Sequence, residues 1–435
     1  MRNGLSFEQA PPISVPYRFF LTAPIFGAAA GLMLAWLGPV TFQSRWTPGA
    51  LALTHLIAAG FMLQAMCGAL LQFVAVVAGA NIWRPRPVAA VVHPLMTAGA
   101  MVLAAAFLFH WPPLFLLAVP LFTLGLGLFV AVMAIALLRT PARGVSIQVL
   151  RLALFGLLVT AVLGLVLALI LGGQLSVPAA WSVLTLTPVH VGWGLVGWAL
   201  LLVMGVSFLV VPMFQMTPAY PPWLTRLLPA SLFVLLCLWS LQLLPTQDRP
   251  PPWSSGVLAI GLLLSGLYAT VTLWLQARRR RRQIDVTLVF WRGAMLALLG
   301  LAGSGLLLPV LPSVIDPARA PLWLGVLALP GVFVSVIMGM LYKIMPFLNW
   351  LHLQRLDAMT APIPNMQQMI PPRTMRAQML AHFTALALLL AAVLRPALVM
   401  PAGLMFSISC LWLEWNLISA TRVYVRCKNR IQAGA

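Results

Sequence analysis

Apolar residues in this chain run on for about twenty positions at a time, and short polar or proline-bearing stretches separate the runs. Twelve runs are read: Phe19–Leu37, Leu51–Ala78, Val88–Phe109, Leu114–Leu138, Val149–Gly172, Pro188–Phe214, Leu227–Leu244, Gly256–Leu275, Val286–Leu308, Leu322–Leu348, Ala377–Leu394 and Leu398–Ile418. A bilayer core about 30 Å thick takes roughly 20 residues of helix, so each run predicts one crossing. The runs are continuous, without the alternation of apolar and polar residues that marks a barrel strand. The predicted fold class is all-α: a polytopic membrane protein with twelve transmembrane helices in a single transmembrane domain.

Composition agrees, with 62% hydrophobic and 7% charged residues against roughly 25% charged in soluble domains. The net charge of +20 does not point to nucleic acid, because the cations collect in alternate loops. With the N-terminus inside, only Arg45, Arg249, Arg319 and Arg395 fall outside, and the other 22 of 26 lie inside. That asymmetry predicts a bacterial-type inner membrane with both termini cytoplasmic. The run Arg278 to Arg282 reads as a topology anchor touching anionic lipid. The first run is too long for a cleaved signal peptide. Cys67, Cys237, Cys410 and Cys427 form no C-x-x-C pair; the first three are read as buried helix residues and the last as a tail residue, with neither disulfide nor zinc expected.

A repeat emerges on aligning "AMCGALLQFV" in the second run, "VMGVSFLVVPMF" in the sixth and "IMGMLYKIMPF" in the tenth. Gly68, Gly205 and Gly339 then lie 137 and 134 residues apart, four helices each time. A fixed period implies a repeated unit, here three four-helix units over about 19–138, 149–275 and 286–418.

His55 and His190 open the second and sixth runs, near the outer face, in what reads as equivalent places. Three and four residues onward, His55 shares a face with Ala59, Met62 and Met66, and His190 with Gly194, Gly197 and Leu201. A groove of small residues beneath an imidazole suits an axially ligated haem; it equally suits close packing of two helices. His110 reads as an interfacial loop residue, His93 as a cap at a helix start, His352 as a solvated loop residue and His382 as a hydrogen-bonding partner across the bundle. Glu414 is the only carboxylate inside a predicted span, which makes it a candidate for proton handling.

The helix plan, with the segments "THLIAAGFMLQAMCGALLQF", "HVGWGLVGWALLLVMGVSFLVVPMF" and "GMLYKIMPFLNW", resembles subunit I of the haem-copper oxidases and nitric oxide reductases, near the NnrS-type membrane proteins. The resemblance implies that His55 corresponds to the ligand of a low-spin haem and His190 to a copper ligand. Elsewhere the chain departs from the family pattern. Gly194 stands where the oxidases have tyrosine, the seventh run has no histidine, and the outer part of the tenth reads "LWLGVLALPGVF" where two haem-ligating histidines belong. A three-imidazole copper site cannot be assembled, so copper is not expected and oxygen reduction at a binuclear centre is not either.

The expected function is a haem-copper-oxidase-like membrane protein with haem b near the outer face, held by His55 with His190 as the first candidate for the second ligand. It would serve electron transfer from quinol or cytochrome c, or nitric oxide or oxygen binding, alongside other respiratory subunits. A non-haem transporter or permease, and a structural or assembly partner of a respiratory complex, are the alternatives.

Overall fold

Chains that put long apolar segments into lipid must satisfy every backbone group internally, and the helix does so within one segment. A computed structural model describes residues 9–140, 142–178, 181–244, 253–280, 283–311, 315–356 and 363–434. The cations Arg2, Arg249, Arg281 and Arg282 lie outside these residues. Twelve described helices are long and apolar enough to cross a membrane, and no strand occurs among the described residues. They are α1 Ser14–Phe42, α2 Pro48–Val77, α3 Pro85–Phe109, α4 Pro112–Arg139, α5 Val145–Leu171, α6 Val183–Gln215, α7 Pro222–Leu243, α8 Ser254–Ala277, α9 Val286–Leu307, α10 Ala320–Gln354, α11 Pro372–Leu394 and α12 Pro396–Ala433.

Helix starts follow local chemistry that hydropathy does not register. Several open with proline in the first turn, where its missing N–H costs nothing. The α2 helix is also capped by Thr47, whose Oγ1 accepts from Ala50 N at 3.3 Å. Helix α6 begins five residues before the predicted Pro188, which lies within it. Helix α12 runs far past Ile418, because hydropathy marks only the membrane-embedded part of a helix. Its extension carries Arg422, Arg426 and Arg430 on exposed positions while Ile431 packs with Leu353 and Met369.

The described residues divide into two compact units, one drawn from the stretches Met1–Pro11, Leu70–Gln283 and Met295–Asp316, the other from Pro12–Ala69, Ile284–Ala294 and Pro317–Ala435. Helices α2, α6 and α10 are the most buried: 83%, 67% and 89% of their most apolar windows are inside the protein, against 28–56% for the others.

One construction recurs at the repeat spacing. At Gly68, α2 lies so close to α1 that an added Cβ would stand 2.8 Å from Phe19 Cβ; at Gly205, α6 meets Val149 of α5 at 3.2 Å; at Gly339, α10 meets Phe290 of α9 at 2.7 Å. Ten residues on, each chain is tied to the last helix of its group. Thr140 Oγ1, just past α4, donates to Ala78 O at 2.7 Å; Gln276 Nε2 of α8 donates to Gln215 Oε1 at 3.0 Å; Asn349 Nδ2 donates to Ala420 O of α12 at 3.0 Å. Positions 78, 215 and 349 carry the same intervals of 137 and 134.

Candidate functional site

All three central helices contain a wide π-helical stretch, Leu56–Met62 in α2, Trp193–Leu200 in α6 and Leu327–Val334 in α10. Their first residues are again 137 and 134 apart. A π turn adds one residue to a helical loop and redirects the side chains beside it, which is why such turns gather at functional positions.

The two candidate histidines stand just ahead of two of these turns. Each is the eighth residue of its span, and by that measure they match. By the π turn they do not: His55 immediately precedes Leu56, whereas His190 lies three residues before Trp193. A two-residue offset rotates a side chain by about 200° around an α-helix. In the frame of the repeat the two imidazoles therefore point to nearly opposite sides, and the position equivalent to His55 in α6 is Gly192.

Their hydrogen bonds differ accordingly. His55 Nδ1 bonds the Leu51 carbonyl of its own helix at 2.8 Å. His190 Nδ1 bonds the Thr160 carbonyl of α5 at 3.1 Å. A carbonyl only accepts, so Nδ1 carries the proton in both, and the neutral ring has its lone pair at Nε2. Metal-ligating histidines are commonly set this way, with the far nitrogen anchored to a carbonyl.

The groove beneath His190 is filled by α5. An added Cβ on Gly156 would fall 2.1 Å from the Gly197 carbonyl oxygen, one on Gly164 would reach 3.1 Å from His190 Cε1, and one on Gly194 would meet Thr160 Cγ2 at 3.3 Å. The small residues there serve helix contact, as small residues in membrane helices generally can. The His55 ring is half-buried, as are Ala58 and Ala59, and Met62 and Met66 further along α2 are buried. An imidazole with Nδ1 anchored to a carbonyl has the donor chemistry of a haem ligand at its other nitrogen. His55 and His190 belong to different compact units.

The other expectations divide. His382 accepts or donates across the bundle as expected, to Ser335 Oγ of α10 at 2.8 Å, and is fully buried. His110 occupies an exposed left-handed turn after α3. His93 is in the third turn of α3 rather than at its start, because Pro85 opens the helix earlier. His352 is not a solvated loop residue: α10 continues through it, and its Nε2 is shielded without a hydrogen-bond partner. Cys67 and Cys410 are buried, but Cys237 is exposed on α7, a correction to the reading of three buried cysteines. Among the described residues no three His, Cys, Asp or Glu side chains converge as a metal site would require.

Glu414 in α12 has carboxylate Oε2 buried without a hydrogen-bond partner. Two residues on, Asn416 Nδ2 donates to Tyr342 Oη at 2.8 Å, Tyr342 donates to Gln378 Oε1 at 3.0 Å, and Gln378 Nε2 reaches Ser409 Oγ at 3.2 Å. Tyr17 donates to Asn349 Oδ1, and Lys343 pairs with Asp285 at 2.9 Å. This polar cluster in α10, α11 and α12 escaped the sequence reading. Its signal was present as Gln378, Asn349 and Asn416 in or beside apolar runs, since polar groups are retained in lipid where they bond one another.

No family model matches the chain, and no curated protein is significantly similar to it.

Proposed function

We propose that this chain is a haem-copper-oxidase-like protein of a bacterial-type inner membrane, with both termini cytoplasmic, that keeps the three-fold helix plan and holds one haem b at His55 without a complete copper site. The observation that carries the reading is the His55 ring itself. It is fixed by the Leu51 carbonyl and set one residue before the π turn of a largely buried helix. Nε2 would hold the haem iron. Haem bound there would supply one-electron exchange with quinol or cytochrome c, or an iron position for nitric oxide or oxygen. His190 serves the α5–α6 contact in this reading, so the second axial ligand comes from elsewhere. A reduced-minus-oxidised spectrum of the purified protein tests it. Soret and α bands that vanish in His55→Ala are expected; a wild-type protein purified after haem supplementation that shows neither band overturns it.

The buried chain Asn416–Tyr342–Gln378–Ser409, with the unpaired Glu414 oxygen near it in sequence, favours a second reading as a permease or proton-conducting protein. Proteoliposomes loaded with a pH-sensitive dye test that reading: proton uptake lost in Tyr342→Phe and Glu414→Gln supports it, and a rate equal to that of empty vesicles rejects it.

A further inference from the structure

Beside the turn between α4 and α5 lies a partly open surface cavity of about 380 Å³. Its polar lining is Arg143, Gln148, Arg151 and Thr140, its apolar lining includes Leu138 and Ile147, and no acidic side chain lines it among the described residues. The Arg151 guanidinium is held in place by the end of α4: Nε and Nη2 donate to Leu137 O at 3.1 and 2.7 Å. Thr140 fixes the turn from below, donating to Ala78 O and accepting from Ala142 N at 3.3 Å. Helix α5 then begins with Gly144 extended and no side chain capping its first turn, so its first N–H groups and the positive end of its dipole are directed at this turn.

Two arginines, one of them fixed by two hydrogen bonds, an amide and an uncapped helix start form a receptor for a phosphate oxyanion. Arginine suits this role because its planar fork matches phosphate geometry and an anchored fork loses little entropy on binding. The cavity sits where two spans end, hence at headgroup depth, on the face that carries 22 of the 26 cations. Leu138 is 70% exposed at its mouth and Ile147 is buried beside it, a pairing that suits a glycerol backbone and the first methylenes of an acyl chain better than a free ion. We propose that the α4–α5 turn is a binding site for the phosphate headgroup of an anionic phospholipid. The site is independent of the haem reading.

Native mass spectrometry of the full chain, released from phosphatidylcholine nanodiscs doped with phosphatidylglycerol, tests the site. Phosphatidylglycerol is expected to be retained in preference to phosphatidylcholine. Arg143→Gln, at an exposed position that the fold does not use, should weaken retention about fivefold, the effect of one arginine at a lipid surface. Arg430→Gln, exposed on the α12 extension, should leave it unchanged. Equal loss in both variants would show diffuse surface attraction and overturn the site. Inorganic phosphate competing as tightly as phosphatidylglycerol would overturn the lipid as its ligand.

Discussion

His55 and His190 look alike in one dimension and differ in three. Both are eighth in a span, both precede a π turn and both give the Nδ1 proton to a backbone carbonyl. The carbonyl of Leu51 belongs to α2 itself, whereas that of Thr160 belongs to α5. The Leu51 bond ties the His55 ring within one helix, whereas the Thr160 bond makes the His190 ring a cross-helix strut. The two-residue offset against the π turn accounts for the difference, because it turns the side chains to opposite sides of equivalent helices.

The comparison breaks most severely at the glycines behind the strut. Gly156→Val would drive side-chain atoms into the Gly197 backbone, where even a Cβ falls at 2.1 Å. The expected loss is about 3 kcal/mol or more, beyond the ordinary cost of overpacking because the clash is with backbone. Thermal unfolding in nanodiscs would measure it. Gly194→Ala, whose Cβ would meet the Thr160 side chain, nearest at Cγ2, 3.3 Å away, should cost under about 1 kcal/mol in the same assay; equal losses would mean that the α5–α6 approach does not depend on Gly156.

His190→Ala should cost about 1–3 kcal/mol by removing the bond to Thr160 O and leaving the space against Gly164 empty. The strut predicts coupling: Gly164→Ala destabilises the wild-type chain but is neutral or stabilising beside His190→Ala, where the new methyl enters vacated space. Simple additivity in that double-mutant cycle would detach the ring from Gly164. His55→Ala, by contrast, should cost less than His190→Ala, because its Leu51 bond lies within α2, while removing any haem bands that His190→Ala preserves. Bands that survive in His55→Ala would remove the central assignment.

The smallest effect sharpens the comparison. Thr160→Val keeps the branched shape and the backbone carbonyl that His190 uses, and gives up only the bond from Thr160 Oγ1 to Gly156 O at 2.7 Å. A change within about 0.5 kcal/mol is expected, since that hydroxyl bonds its own helix. A loss approaching that of His190→Ala would mean that the hydroxyl, and not the carbonyl, carries the tie.

Sequence legibility follows the range of the forces involved. Twelve crossings were readable because solvation by lipid acts on each segment of about 20 residues separately. The period of 137 and 134 was readable from three glycines, each of which proves to be a point of close helix approach. Exact helix ends were less so: α6 starts early at Val183 and α12 runs on past the membrane, since caps and packing set those limits.

What the sequence determined by itself is thus the helix count, the spacing of the repeat and the candidate residues, because apolar length and residue spacing are local properties. Tertiary structure alone decided which way each candidate faces: that His190 braces α5, that His55 is held by its own helix, that Cys237 is exposed and that His352 is shielded. The reason is physical. In a soluble protein the solvent-facing side is polar and announces itself, but lipid is as apolar as a protein core. Hydropathy therefore cannot separate an inward face from an outward one in a membrane helix, and only the contacts between helices do.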